Sequence, residues 1–215
     1  MKNFTRKLTA LILSIMMLMS IAPSMGFAAE AENAVLNTLQ NTLYKLSTDK
    51  ELNVGYIGGS ITVGANATNV NTDSYRALTT SWLKEKFPEA AITEINVSTG
   101  GTGSQYGLWR ANTDLKLGTE NQPDLTFIEY AVNDAYDKQS KAQASFYMES
   151  LVNKLYAANP NMDIVILLST DVNKRNEDNV FPQLVAHREV AQRYGIPYIE
   201  NGYKLYNEIY AAKKK

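Results

Sequence analysis

The regular alternation of short apolar runs with longer helical patterns constrains this chain more than any other feature. Leu52–Ile57, Ala91–Val97, Leu125–Tyr130 and Ile164–Leu168 read as strands, and Pro197–Ile199 begins a fifth. Asp73–Phe87 has helical spacing (Tyr75, Leu78, Trp82, Leu83) and stops at Pro88, while Ser104–Leu117 is closed by Gly118. Lys138–Ala158 ends before Pro160, and Phe181–Tyr194 is followed by Gly195. Ala34–Leu46 and Tyr203–Ala212 read as shorter helices at the two ends. Strands apolar on both faces and joined by helices require a parallel sheet covered on both sides. The 215 residues therefore predict one α/β domain, a three-layer α/β/α sandwich around a five-stranded, mostly parallel sheet.

The N-terminus has a different character. Lys2, Arg6 and Lys7 precede an apolar stretch from Leu8 to Ile21, and small residues follow, with cleavage expected after Ala28 or Ala31. The stretch is short of the roughly 20 residues a membrane span needs. Residues 1–29 are thus expected to be a signal peptide and residues 30–215 the working domain, secreted or held at the cell surface. No later segment is long and apolar enough to span a bilayer. Once Lys2, Arg6 and Lys7 are removed, the 21 basic residues fall to 18 against 22 acidic ones, a net charge of −4. That balance argues against a nucleic-acid partner, whose affinity rests on cationic contacts to phosphate. The chain has no cysteine, so disulfides, thiol catalysis and Cys-ligated metals are excluded. No His, Asp and Glu cluster has metal-ligand spacing, and no cofactor is expected.

In parallel sheets, ligands bind beyond the carboxyl ends of the strands. Three polar or glycine-rich clusters fall at three successive strand ends: Gly58-Gly59-Ser60, Thr99 to Ser104, and Asn133-Asp134. Ser60 follows a strand on a tight Gly-Gly turn, which presents a hydroxyl at the sheet edge and leaves backbone N–H groups unobstructed. A nucleophilic serine needs a base and donors for the oxyanion; the bland alternative is a helix N-cap serine. A phosphate loop is absent, because no Gly-x-x-x-x-Gly-Lys-Ser/Thr run exists. The dinucleotide pattern fails after Gly101-Thr102-Gly103, where the third glycine is missing, and the Gly-x-Ser-x-Gly elbow fails at Thr62. Asn133, in Glu129-Tyr130-Ala131-Val132-Asn133-Asp134, carries an amide able to donate to an oxyanion; its bland alternative is a turn asparagine.

Taken together, Gly58-Gly59-Ser60-Ile61-Thr62, Asn96 to Gly101 with Ser104-Gln105-Tyr106-Gly107-Leu108, and Ala131-Val132-Asn133-Asp134 resemble the first three sequence blocks of the SGNH (GDSL-like) hydrolases, in order. The Gly-Gly-Ser-Ile-Thr variant resembles a subgroup of bacterial secreted and cell-surface acylhydrolases. The resemblance spans roughly Asn53 to Glu200 and implies a flavodoxin-like α/β/α fold. It implies that Ser60 is the nucleophile and an oxyanion donor through its N–H. It further implies that Gly101 donates a backbone N–H and Asn133 its side-chain amide. It also implies a secreted serine esterase or acylhydrolase that removes small acyl groups, such as O-acetyl, from a carbohydrate or another acylated small molecule.

One block departs from the family. Its last, Asp-x-x-His, supplies the general base, and this chain has one histidine, His187, with Leu184 three residues before it. His187 is the one candidate for the base, but it lies mid-helix, away from the loops that follow strands, and the simpler reading is a surface or half-buried helical residue near Glu189. Only thirteen residues follow Asn201-Gly202, the Lys213-Lys214-Lys215 tail included, about where the missing block would begin; a truncated reading frame and a natural stop both remain open. Asp134 and Asp171 are not read as bases. The alternative function is a catalytically impaired relative of the same fold that binds a glycan without turnover, or a truncated pseudo-enzyme. Trp82 and Trp109 read as packing residues, with Arg110 close to the oxyanion loop. Asp171, Glu177 and Asp178 read as a solvated loop.

Overall fold

The structure is a computed structural model that describes residues 39–171 and 180–200. The expected signal peptide, the start of the lead-in helix, Glu177, Asp178 and the Tyr203–Ala212 helix lie outside those residues.

In chain order the elements are α1 (Gln40–Tyr44), which runs on through a wider helical turn (Lys45–Asp49), β1 (Glu51–Gly58), α2 (Ser60–Val63), α3 (Tyr75–Lys86), β2 (Ala91–Asn96), α4 (Ser104–Asp114), β3 (Leu125–Glu129), α5 (Ala131–Tyr136), α6 (Lys141–Ala158), β4 (Asp163–Leu168), α7 (Pro182–Tyr194) and β5 (Tyr198–Glu200). The five strands form one parallel sheet in the order β2-β1-β3-β4-β5. The expected three-layer α/β/α architecture is the one found.

Strand alternation explains the layers. Leu52, Val54 and Tyr56 of β1, Phe127 of β3 and Val165 of β4 point to one face, where Leu43, Leu46, Leu83 and Phe87 cover them. Ile57, Ile128, Ile164 and Ile166 point to the other, under Leu115 just past α4, Leu151 and Leu155 of α6, and Leu184 of α7. Tyr56 stacks on Phe127, with ring centroids 5.2 Å apart, and its hydroxyl lies 3.0 Å from Thr80 Oγ1.

Element ends shift for local reasons. Lys138 adopts a left-handed φ of 55°, so α6 cannot begin there. It begins instead after Ser140, whose hydroxyl accepts from Gln143 N while Gln143 Oε1 accepts from Ser140 N, a reciprocal cap. Lys116 (φ 53°) likewise follows the end of α4 at Asp114.

This order positions the site. The chain leaves β1, crosses to β2 at one edge, and returns to β3 on the other side of β1. Successive connections thus run in opposite directions from β1, which opens a crevice at the carboxyl ends of β1, β2 and β3. Phe127→Ala should lower the unfolding free energy in urea by about 3–5 kcal/mol, through the lost ring and the cavity left beneath Tyr56. A change under about 1 kcal/mol would show that the stack contributes little to the core.

Candidate active site

The turn after β1 is held from both sides. The Gly58 carbonyl accepts from Thr99 N at 2.9 Å and Gly59 N donates to the Glu129 carbonyl at 3.2 Å, which extends both sheet pairings past the strand end. The chain then forms a single helical turn with Ser60 at its first position. Val63 N bonds to the Gly59 carbonyl at 3.0 Å, and Gly64 closes the turn with φ 95°. Ser60 is half-buried at the open edge of the sheet.

The loop after β2 comes next to it. A Cβ placed on Gly100 would sit 3.8 Å from Ser60 Cβ. Gly101 is exposed and adopts φ 73°, a conformation costly for any residue with a side chain. Thr102 Oγ1 donates to the Thr99 carbonyl at 2.7 Å, and the Arg110 guanidinium donates to Thr99 Oγ1. Arg110 also lies 4.8 Å over the Tyr106 ring.

The third strand end supplies Asn133. Its Nδ2 donates to the Thr102 carbonyl at 2.6 Å, which uses one of the two amide hydrogens and leaves the second. The same nitrogen lies so close to Gly59 that a Cβ there would collide with it. The Gly-Gly turn is therefore needed for close approach of the β3 end, a reason beyond the open backbone expected from sequence. Ser60, the Gly101 loop and Asn133 meet in one place.

Two features of this cluster were not visible in the sequence. Thr62, which the sequence showed as the last residue of the Gly-Gly-Ser-Ile-Thr block, is fully buried; it donates to Glu129 Oε2 at 3.4 Å and accepts from Tyr75 OH at 3.1 Å. Glu129 is buried beneath the Ser60 turn. Burial pushes its carboxyl up to about 7, against hydrogen bonds from Thr62 and Gly59, with the Asp134 charge adding to the rise.

Asp134 is also fully buried. It accepts from Ser104 N (2.6 Å) and Gln139 Nε2 (2.9 Å) on Oδ1, and from Ser104 Oγ (2.7 Å) on Oδ2. Its fourth partner corrects the sequence reading of His187. That residue is neither surface nor half-buried: it is fully buried, with Nε2 2.9 Å from Asp134 Oδ2. Glu189 instead pairs with Lys141 at 2.7 Å. Trp109 is also corrected, since it is 68% exposed rather than packed, while Trp82 does pack against the core. Asp171 accepts from Tyr136 OH at 3.3 Å. Two surface cavities of about 620 and 340 Å³ include none of Ser60, Gly101 and Asn133 among their lining residues, so chemistry rather than volume locates this site. Among the described residues, no group of three or more His, Asp and Glu is placed to hold a metal ion.

The family model described as GDSL-like lipase/acylhydrolase matches residues 56–212. The chain belongs to that family. The matched segment includes the residues at the ends of β1, β2 and β3 that form the cluster described above. Among solved structures, a two-domain esterase active on acetylated mannans, co-crystallised with mannopentaose, is 28% identical with a TM-score of 0.70; the match covers 83% of this chain and 46% of that one. The chain thus spans under half the length of that relative. An acetyl xylan esterase from Geobacillus stearothermophilus is 17% identical (TM-score 0.58, covering 74% and 80%). An esterase of the SGNH-hydrolase family is 18% identical (TM-score 0.56, covering 71% and 77%). These last two share the fold. A comparison with curated proteins finds no match.

Two outcomes follow for the site. Gly59→Ala should displace the Asn133 amide, seen as a shift of its side-chain resonances in an amide NMR spectrum; an unmoved Asn133 would disprove the close approach. Glu129 ordinarily titrates near 4.5 and holds its proton to about 7 in the fold. Between those values the folded state binds more protons than the unfolded one, so stability should fall as pH rises through that window, by about 3 kcal/mol, and level off above it. In Glu129→Gln, urea unfolding measured from pH 4.5 to 7.5 should lose this slope.

Proposed function

We propose that this chain is a carboxylic ester hydrolase that removes small acyl groups, such as acetyl, from glycans, with Ser60 as nucleophile. The convergence of Ser60, the Gly101 loop and Asn133 at one sheet edge carries this reading. In acylation, Ser60 Oγ attacks the ester carbonyl carbon while the C=O electron pair moves onto oxygen. The Ser60 and Gly101 N–H groups and the second Asn133 amide hydrogen receive that oxyanion. The tetrahedral adduct then collapses: the bond to the alcohol oxygen breaks and that oxygen takes a proton from water; a second water adds to the acyl carbon, the bond to Ser60 Oγ breaks, the acid departs and Ser60 regains its proton. The 28%-identical esterase active on acetylated mannans supports a glycan as the alcohol portion. The basic, apolar and small-residue pattern of residues 1–29 supports export to the cell surface or medium. Among the described residues, no helix is long and apolar enough to cross a membrane.

The Ser60 proton needs an acceptor. His187 is enclosed and bonded to Asp134, so it does not act as one. Among the described residues no other imidazole stands at Ser60, and a proton passed to water forgoes the 10²- to 10⁴-fold help a positioned base typically gives. This observation also favours a second reading, a glycan-binding relative without turnover.

A fluorophosphonate probe and acetylated mannan separate the two readings. The hydrolase reading expects labelling and slow acetate release, both lost in Ser60→Ala, and acetate release about 10²–10³-fold slower in Asn133→Ala. Added imidazole should raise the Ser60-dependent rate by supplying the missing acceptor. Glycan binding by folded protein with no Ser60-dependent labelling would instead support the binding module.

A further inference from the structure

His187 is a buried polar group that the proposed chemistry does not use. It lies in mid-α7, on no strand or strand-end loop of its own, with Leu184 and Val190 of the same helix in the core. A polar ring in such surroundings persists only when hydrogen-bonded. Its partner is the carboxylate whose other donors hold the catalytic loops.

We infer that His187 is a positioning residue: through Asp134 it sets the spacing between the Gly101 loop and the Asn133 amide. This rests on the reading of Gly101 and Asn133 as oxyanion donors.

The argument begins with acceptor capacity. A carboxylate offers about four lone-pair sites on two oxygens. Asp134 fills them with Ser104 N, Ser104 Oγ, Gln139 Nε2 and His187 Nε2. Because a carboxylate only accepts, Nε2 carries the proton. Nδ1, buried and without a hydrogen-bond partner, then presents a lone pair rather than a stranded N–H.

The tie has a direction. Ser104 starts α4 three residues after Gly101, and Asp134 follows Asn133 in α5. One carboxylate thus straps the two loops that carry the oxyanion donors, in parallel with the Asn133–Thr102 bond. Gly103 packs so closely that a Cβ there would lie 2.5 Å from Asp134 Oδ1 and 2.7 Å from Asp137 Oδ2. The loops have no slack.

Helix α7 grips this strap twice. Gln183 Nε2 donates to the Gln139 carbonyl, and Gln139 in turn donates to Asp134. Gln183 and His187 are four residues apart and so lie on one helix face. An element that contributes nothing to the sheet edge therefore fixes the register of two loops at that edge. A misplacement of about 1 Å between reacting groups can cost about 10²-fold in rate. A strap on both donors at once sets catalysis more than substrate affinity.

The experiment compares His187→Leu, which has no donor, with His187→Gln, whose amide nitrogen reaches about as far as Nε2. Both are assayed for kcat and KM on acetylated mannan and for amide NMR shifts of Gly101, Ser104 and the Asn133 side chain. The expected result for His187→Leu is a fall in kcat of roughly 10- to 100-fold with KM changed less than about threefold. The three resonances should move in that variant, and His187→Gln should recover most of both the rate and the shifts. A His187→Leu protein of lowered Tm with wild-type kcat and unmoved resonances would overturn the inference and leave His187 a core residue. So would equal losses in both variants, since the donor would then not matter. If wild type shows no turnover but the resonances move in His187→Leu and return in His187→Gln, the strap stands and the oxyanion reading alone fails. Should His187→Leu not fold, His187→Gln against Gln183→Leu carries the comparison, and wild-type resonances and rate in Gln183→Leu would count against α7 as the grip.

Discussion

Four donors on the two oxygens of Asp134 join what the sheet only brings near. The sheet places the ends of β1, β2 and β3 side by side, and its ladder runs only a residue or two past the strands, through Thr99–Gly58 and Gly59–Glu129. Asp134 supplies the pairing beyond that for two of them. A buried carboxylate costs several kcal/mol unless its acceptor sites are filled. Its partners come from α4, from the loop after α5 and from α7, so the charge is tolerable only when all three are docked. The Ser60 turn is anchored separately, through Thr62, which accepts from Tyr75 and donates to the Glu129 side chain, and through Gly59 to the Glu129 carbonyl. Two buried acids, one beneath the nucleophile turn and one beneath the donor loops, thus underlie this site.

The fold was largely legible from sequence because its strands are apolar on both faces and end in glycine or polar residues. Each of the five expected strands is present within a residue or two. The helices missed were α2 and α5, of four and six residues, too short to show a 3.6-residue period. Boundaries moved where single residues took left-handed backbone, as at Lys138 and Lys116.

The candidate site was legible only in part. Ser60, Gly101 and Asn133 stood out because each ends a strand in an unusual local pattern. Thr62, Glu129 and His187 gave no such signal. Thr62 and Glu129 lie 67 residues apart, and Asp134 and His187 lie 53 apart. Their significance comes from contacts across those distances, and one sequence carries no record of them. Trp109 was misread for the opposite reason: helical spacing alone does not say which face of α4 meets the core, and its ring is exposed.

The pairing of α7 with Asp134 bears on the order of assembly. A chain made from its N-terminus has β1, β2, β3, α4 and α5 in hand before α7 exists. During that interval Asp134 has three of its four partners, and the open acceptor position belongs to water. Asp134 therefore stays open to water until α7 arrives, and the docking of that helix completes its set of donors and covers it at once.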